Sequence, residues 1–158
     1  MDPTLKSYLE KNNIQYKTHE HHPVFTVAES KNIKQDIPCT HTKSLFLRDD
    51  QNNFHLVCLQ ADKRLDIKAL EKTLEVKKLR FATSEELHKH LQVTPGSVSL
   101  FSIIHDPQTQ LLIDHDLMNA EAVGFHPNIN KATLVTDHDN LKKFYDSLPN
   151  EKHVVELA

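Results

Sequence analysis

Apolar residues along this chain fall into short clusters whose spacing alternates between the helical period of about 3.6 and the strand period of 2. Residues 4–12 put Leu5, Tyr8 and Leu9 on one helical face. Residues 14–18 predict a strand, which His19-Glu20-His21-His22-Pro23 breaks. Thr26, with Glu29 three residues later, offers a capping box for a short helix that Pro38 closes. Residues 43–48 and 54–60 are apolar runs around Asp49-Asp50-Gln51-Asn52-Asn53, a hairpin signal. Asp66 caps a predicted helix through Leu74, residues 79–82 are strand-like, and Thr83 with Glu86 forms a second capping box before Leu87 and Leu91. Residues 97–104 and 110–113 flank Asp106-Pro107 and predict another hairpin. Residues 123–125 and 132–135 are short strands around Pro127-Asn128, and Thr136 leads into a final helix with Leu141, Phe144, Tyr145 and Leu148. Elements mixed in this order predict one α+β domain over residues 1–158, with a largely antiparallel sheet flanked by helices.

Composition narrows the classes. The 158 residues are 38% hydrophobic, enough for a core, and no apolar run approaches the roughly 18 residues of a membrane span. The N-terminus lacks the basic-then-apolar order of a secretion signal, so a soluble cytoplasmic protein without a membrane partner is expected. Two cysteines, Cys39 and Cys58, make no disulfide framework. A formal charge of −3 excludes a generic basic nucleic-acid coat but leaves room for a local basic patch. Lys63-Arg64, Lys77-Lys78 with Arg80, and Lys142-Lys143 are candidate phosphate contacts, although such pairs are commonly solvated surface.

Glycine is scarce: Gly96 and Gly124 are the two in the chain. Gly96 opens Gly96-Ser97-Val98-Ser99 after Pro95, a turn whose small residues leave backbone N–H groups accessible to an anion or oxyanion. Gly124 precedes Phe125-His126-Pro127-Asn128, where the proline biases His126 towards an extended backbone. In Thr42-Lys43-Ser44-Leu45-Phe46-Leu47, strand alternation puts Lys43 on the face of Leu45 and Leu47. If that face is buried, Lys43 stands at its mouth, able to grip a phosphate or carbonyl; the plainer alternative is a snorkelling strand-end lysine.

Other chemistries fit less well. The twelve histidines invite a metal reading, but His19, His21 and His22 crowd a loop and His88 and His90 are two apart on a helix, so no metal is expected. Two isolated glycines exclude a Walker loop and a dinucleotide fingerprint, and no nucleophile elbow is present. Cys39 as a nucleophile lacks a signature.

In order, His22-Pro23-Val24-Phe25-Thr26-Val27-Ala28-Glu29, Thr42-Lys43-Ser44-Leu45-Phe46-Leu47-Arg48-Asp49, Leu79-Arg80-Phe81-Ala82, Pro95-Gly96-Ser97-Val98-Ser99 and Phe125-His126-Pro127-Asn128-Ile129-Asn130 resemble the YbaK/ProX aminoacyl-tRNA deacylase family. The likeness is greatest to free-standing relatives of the bacterial prolyl-tRNA synthetase editing domain and runs from about residue 5 to 148. It implies a barrel-like mixed sheet flanked by helices. It also implies a cofactor-free trans-editing hydrolase that cleaves a wrong amino acid, typically alanine, from proline tRNA. The tRNA 3′ end and prolyl-tRNA synthetase are the implied partners. By the resemblance Lys43, Gly96 and His126 are catalytic, and Phe25, Thr26, Ser44, Ser97, Val98, Ser99 and Asn128 bind substrate. Two positions depart from the family pattern. Ser44 stands where asparagine is usual, and the Gly-x-x-x-Pro loop ends here in Leu100.

The expected mechanism has Lys43 anchoring the terminal adenosine phosphate or the ester region, while backbone N–H groups near Gly96 support the developing oxyanion. One such donor is worth roughly 3–4 kcal/mol. No carboxylate stands out as a base, leaving the substrate's own 2′-hydroxyl or a backbone-held water. Competing readings are a binding module of the same fold that has lost the chemistry, a deacylase for cysteine or serine, and a histidine metal protein.

Overall fold

Asp2 starts the first helix: its carboxylate accepts from the Thr4 N–H at 2.9 Å, and Pro3 occupies the first turn. The helix, α1 (Pro3–Lys11), buries Leu5 and Leu9, one turn apart. The computed structural model describes residues 2–20, 39–125 and 132–157. The helix expected after Thr26 lies outside them.

Strand β1 is Lys17–Glu20, two to three residues later than its apolar residues suggested, because Ile14 packs into the core from the turn after α1. The predicted hairpin is present as β2 (Thr40–Asp49) and β3 (Phe54–Gln60), paired antiparallel from Thr42↔Gln60 to Arg48↔Phe54. Asp49 closes its turn by accepting from the Gln51 and Asn53 N–H groups at 2.8 and 2.9 Å, and Asn52 takes the left-handed conformation at φ 65°. The Asp49 carboxylate also meets His55 Nε2 at 2.9 Å, with both side chains buried.

Helix α2 (Ile67–Leu74) starts at Asp66, as expected. Strand β4 (Leu79–Phe81) pairs antiparallel with the far end of β2, and the Thr83–Glu86 capping box starts α3 (Ser84–Leu91). The next expectation fails. Residues 100–105 form a 3-10 helix, Leu100–His105, not a strand. Ser99 caps it by accepting from the Phe101 N–H, and Ser102 returns a bond to the Ser99 N–H, so an apolar run readable either way is committed to a helical turn. There is consequently no hairpin at Asp106-Pro107. Strand β5 (Gln110–Asp114) instead pairs parallel with β3.

A single turn of helix, α4 (His115–Met118), and the strand β8 (Lys152–Val155) had no counterpart in the sequence reading. Strands β6 (Ala122–Phe125) and β7 (Ala132–Asp137) pair antiparallel. The final helix, α5 (His138–Ser147), is capped by Asp137, one residue after the expected Thr136, with its carboxylate on the Asn140 N–H at 2.9 Å.

Together the strands run β1-β7-β6-β2-β3-β5-β8, with β4 added to β2. Among the described residues four pairings are antiparallel and three (β2–β6, β3–β5, β5–β8) are parallel, so the sheet is mixed, with antiparallel pairing in the majority.

Alternation along β2 and β3 sends side chains into two cores. Phe46, Leu56 and Cys58 join the larger one with α1, α3, the 3-10 helix and α5, where Phe101 packs edge-on against Phe125 and Phe144 at 5.3 and 5.0 Å. Leu45, Leu47, Val57 and Leu59 face the opposite way, into a smaller core closed by α2, Val155 and Leu157.

Candidate functional site

Lys43 belongs to the face of the smaller core, in line with Leu45 and Leu47. It is half-buried, and beyond it the apolar row gives way to an open cleft of about 700 Å³. Lys43, Leu45 and Phe81 line one side; Arg64, Leu65, Asp66, Ile67 and Lys68, leading into α2, line the other. The expectation that Lys43 stands at the mouth of a buried face therefore matches its surroundings.

The cleft is basic in a chain that is acidic overall. Three cations, Lys43, Arg64 and Lys68, face one carboxylate, and Asp66 uses that carboxylate to accept from the Ala69 N–H at 3.0 Å. None of the three cations forms an ion pair among the described residues. Several other basic side chains are committed elsewhere. Lys63 holds Asp114 at 3.1 Å and also Asp116, and these bonds, Asp116 first, raise its pKa. Arg80 and Arg48 both grip Glu86, at 2.9 and 2.8 Å. The Arg80 bond, the Thr83 backbone bond and the Arg48 bond together hold the Glu86 carboxyl down at about 2 against the opposing cost of burial. Lys143 reaches the Asn13 carbonyl at 3.4 Å.

Ser44, next to Lys43, points to the opposite face, where its hydroxyl lies 3.3 Å from Cys58 Sγ. The Gly96 turn belongs to that second side too. Gly96 has φ +90°, and a Cβ built on it meets nothing within 4 Å, so backbone conformation and not crowding requires glycine. Val98 packs against the larger core, Ser97 is buried, and Ser99 caps the 3-10 helix. Lys43 and the Gly96 turn thus lie on opposite sides of β2. On the edge of β2 away from β3, β6 pairs at Thr40 and His41 and β4 pairs from Leu47 onward, while the Phe46 carbonyl accepts from the Ala82 N–H. Between them, residues 42–45 meet no strand on that edge among the described residues. Phe25, Thr26, His126 and Asn128 lie outside the described residues.

Gly124 has a different task. It sits in β6 opposite His41 and Val135, and a Cβ there falls 2.7 Å from Cys39 Sγ and 3.0 Å from Thr133 Cγ2. Its carbonyl accepts from Thr42 Oγ1 at 2.7 Å, fixing the strand that carries Lys43. Burial pushes the Cys39 thiol up to about 11; it pushes Cys58 up to about 12 despite the opposing Ser44 bond. Both are thiols, not thiolate nucleophiles, at neutral pH. Among the described residues no three His, Cys, Asp or Glu side chains converge as metal ligands.

Sequence reasoning flagged Arg64 only as one of several basic pairs and missed Lys68 and Phe81. Phe81 reaches the cleft because β4 pairs with β2 in the register Leu47↔Phe81, which puts its ring on the Lys43 face. It is 55% exposed, more than any other large hydrophobic residue among the described residues. An exposed aromatic within a short strand was the available signal, but its location depends on a long-range pairing.

Comparison with known proteins gives this arrangement its context. Residues 21–144 match the aminoacyl-tRNA editing domain family. The prolyl-tRNA editing protein ProX of Acetoanaerobium sticklandii is 34% identical over 152 residues, covering 94% of this chain and 93% of its own. The prolyl-tRNA synthetase associated domain-containing protein 1 of Danio rerio is 29% identical over 146 residues, covering 90% and 79%. A solved structure of a candidate trans-editing enzyme for prolyl tRNA synthetase shares the fold, with TM-score 0.75 and 18% identity over 100% of this chain and 99% of that one. With a family match across most of its length and a relative of this similarity spanning nearly all of it, the chain belongs to the aminoacyl-tRNA editing domain family.

Proposed function

We propose that this protein is a cytoplasmic trans-editing hydrolase that cleaves the ester between a wrong amino acid and the 3′ end of tRNA, with alanine on proline tRNA as its main substrate. The observation that carries this reading is Lys43: a half-buried cation without an ion pair among the described residues, at the end of an apolar row and opening on a basic cleft, in a chain of the editing family. Its ammonium acts as a point charge on the terminal phosphate or the ester region. Prolyl-tRNA synthetase is the proposed protein partner, on the strength of the relatives' names.

Gly96 and His126 complete the proposed catalytic group, with Phe25, Thr26, Ser44, Ser97, Val98, Ser99 and Asn128 in substrate contact. The Ser97 N–H donates to the Thr94 carbonyl at 3.0 Å and the Ser99 N–H to Ser102 Oγ at 3.2 Å, so the proposed oxyanion donors are the N–H groups of Gly96 and Val98, in a turn that the positive φ of Gly96 shapes. An acceptor end lying against residues 42–45 of β2, between β6 and β4, meets Lys43 on one side of the strand and the Ser44 and Gly96 side on the other. Both thiols are protonated and Glu86 is held between two arginines, so none of these three side chains supplies the nucleophile or base. The substrate's 2′-hydroxyl or a backbone-held water fills that role. A small pocket excludes larger amino acids sterically.

The test is a deacylation panel of alanyl-, cysteinyl-, seryl- and prolyl-tRNA(Pro). Preferential release of alanine supports the reading. Preferential release of cysteine or serine replaces the substrate, and RNA binding without hydrolysis of any member overturns the enzyme assignment in favour of a binding module.

A further inference from the structure

We infer that Phe81, Arg64 and Lys68 form a single-stranded RNA platform that holds nucleotides of the tRNA tail upstream of the terminal adenosine; this rests on the tRNA substrate proposed above. Phe81 is exposed in a position that folding alone does not require, and nothing in the smaller core needs its ring. Around it, the cleft offers two cations besides Lys43, neither of them in an ion pair among the described residues. A flat ring beside such cations matches the chemistry by which proteins hold single strands without reading sequence: a base stacks on the ring while lysine or arginine follows the backbone. The volume of about 700 Å³ falls within the range of about 300–1,000 Å³ for ligand clefts.

Spacing decides which nucleotide is held. Phe81 sits opposite Leu47, four residues along β2 from Lys43, a separation of about 13 Å at the rise of a strand. With the ester at Lys43, the base on Phe81 is one further from the 3′ end. Arg64 and Lys68, across the cleft, then face the linking phosphates. The acidic exception, Asp66, is held at the start of α2 by its bond to Ala69 and forms no ion pair with either cation among the described residues, so the lining keeps an excess of positive charge.

The test measures binding of an uncharged hairpin RNA ending in single-stranded ACCA, by fluorescence anisotropy, to wild type, Phe81→Ala, Phe81→Leu, Phe81→Tyr and Arg64→Gln/Lys68→Gln. Alanine and leucine are expected to weaken binding by between about 5- and 150-fold, the range of one lost stacked base, while tyrosine keeps it. Leucine matters because it keeps apolar area without a ring. The double glutamine variant is expected to lower the slope of log affinity against log salt by about 0.7 for each lost phosphate contact. Inorganic polyphosphate, which has charge but no bases, is expected to bind more weakly than the RNA and equally to wild type and Phe81→Ala.

Equal RNA affinity for wild type and Phe81→Ala, or full retention by leucine, overturns the inference. So does an absence of RNA binding by wild type. Deacylation by the wild type, assayed in parallel, separates the two ideas. Hydrolysis with an indifferent Phe81 sinks only the platform, whereas ring-dependent RNA binding without hydrolysis sinks only the enzyme assignment.

Discussion

Replacing Gly124 by alanine inserts a methyl group 2.7 Å from Cys39 Sγ and 3.0 Å from Thr133 Cγ2, where ordinary contact begins at 3.4 Å. Thr133 is 7% exposed and paired to His19 within the sheet, so it yields little; Cys39, half-buried just before β2, yields more. Overpacking of this kind costs about 1–3 kcal/mol, and the stiffer unfolded chain returns about 0.4–1 kcal/mol, leaving a net loss of about 1–2 kcal/mol. For a chain of this size that lowers the melting temperature by about 2–8 °C. Because the tighter clash is with one sulfur, Cys39→Ala relieves most of it. Thermal melts of wild type, Gly124→Ala, Cys39→Ala and the double variant form a cycle in which the double variant regains about 1 kcal/mol. A Gly124→Ala protein that melts with the wild type, or one whose loss is as large in the Cys39→Ala background, refutes the close-packing account.

Gly96→Ala is the contrasting case: φ +90° with empty surroundings predicts a backbone cost of about 1–2 kcal/mol that no neighbouring truncation rescues, measured in the same melts. Glu86 ties α3 to β2 and β4, and its carboxyl is held at about 2 instead of the ordinary 4.5, so it contributes stability above the ordinary value that is lost as pH falls towards 2. In acid titrations of unfolding free energy, Glu86→Gln is expected to be less stable than wild type at pH 6 and to show a shallower decline between about pH 4.5 and 2. Phe101→Ala, at a fully buried ring packed on Phe125 and Phe144, is expected to cost about 3–5 kcal/mol in denaturant unfolding.

Local chemistry made part of this structure legible in the sequence. Asp66, Thr83 and Asp49 announced two helix starts and a hairpin because each carboxylate or hydroxyl satisfies nearby backbone N–H groups. Alternation alone put Lys43 with Leu45 and Leu47. It equally implied that Ser44 faces away, which separates two residues the family pattern treats as neighbours in function. The run Leu100-Phe101-Ser102-Ile103-Ile104 was ambiguous by period, and the reciprocal Ser99–Ser102 bonds that decide it form only once the turn exists. Strand β8 was invisible because its four residues alternate weakly and gain their identity from β5, some forty residues away. The joint placement of Arg64, Lys68 and Phe81 in one cleft escaped for the same reason: Phe81 reaches it through the pairing of β4 with β2, which no local pattern announces.

Lys43 is the centre of the account, and its alanine variant tests it most directly. Single-turnover hydrolysis of alanyl-tRNA(Pro) by Lys43→Ala is expected to fall on the order of 10²–10³-fold, as for loss of one preorganised electrostatic group. Its melting temperature is expected to stay close to wild type, since a half-buried side chain without an ion pair among the described residues contributes within about 0.5 kcal/mol. A folded Lys43→Ala protein that releases alanine at the wild-type rate contradicts the claim.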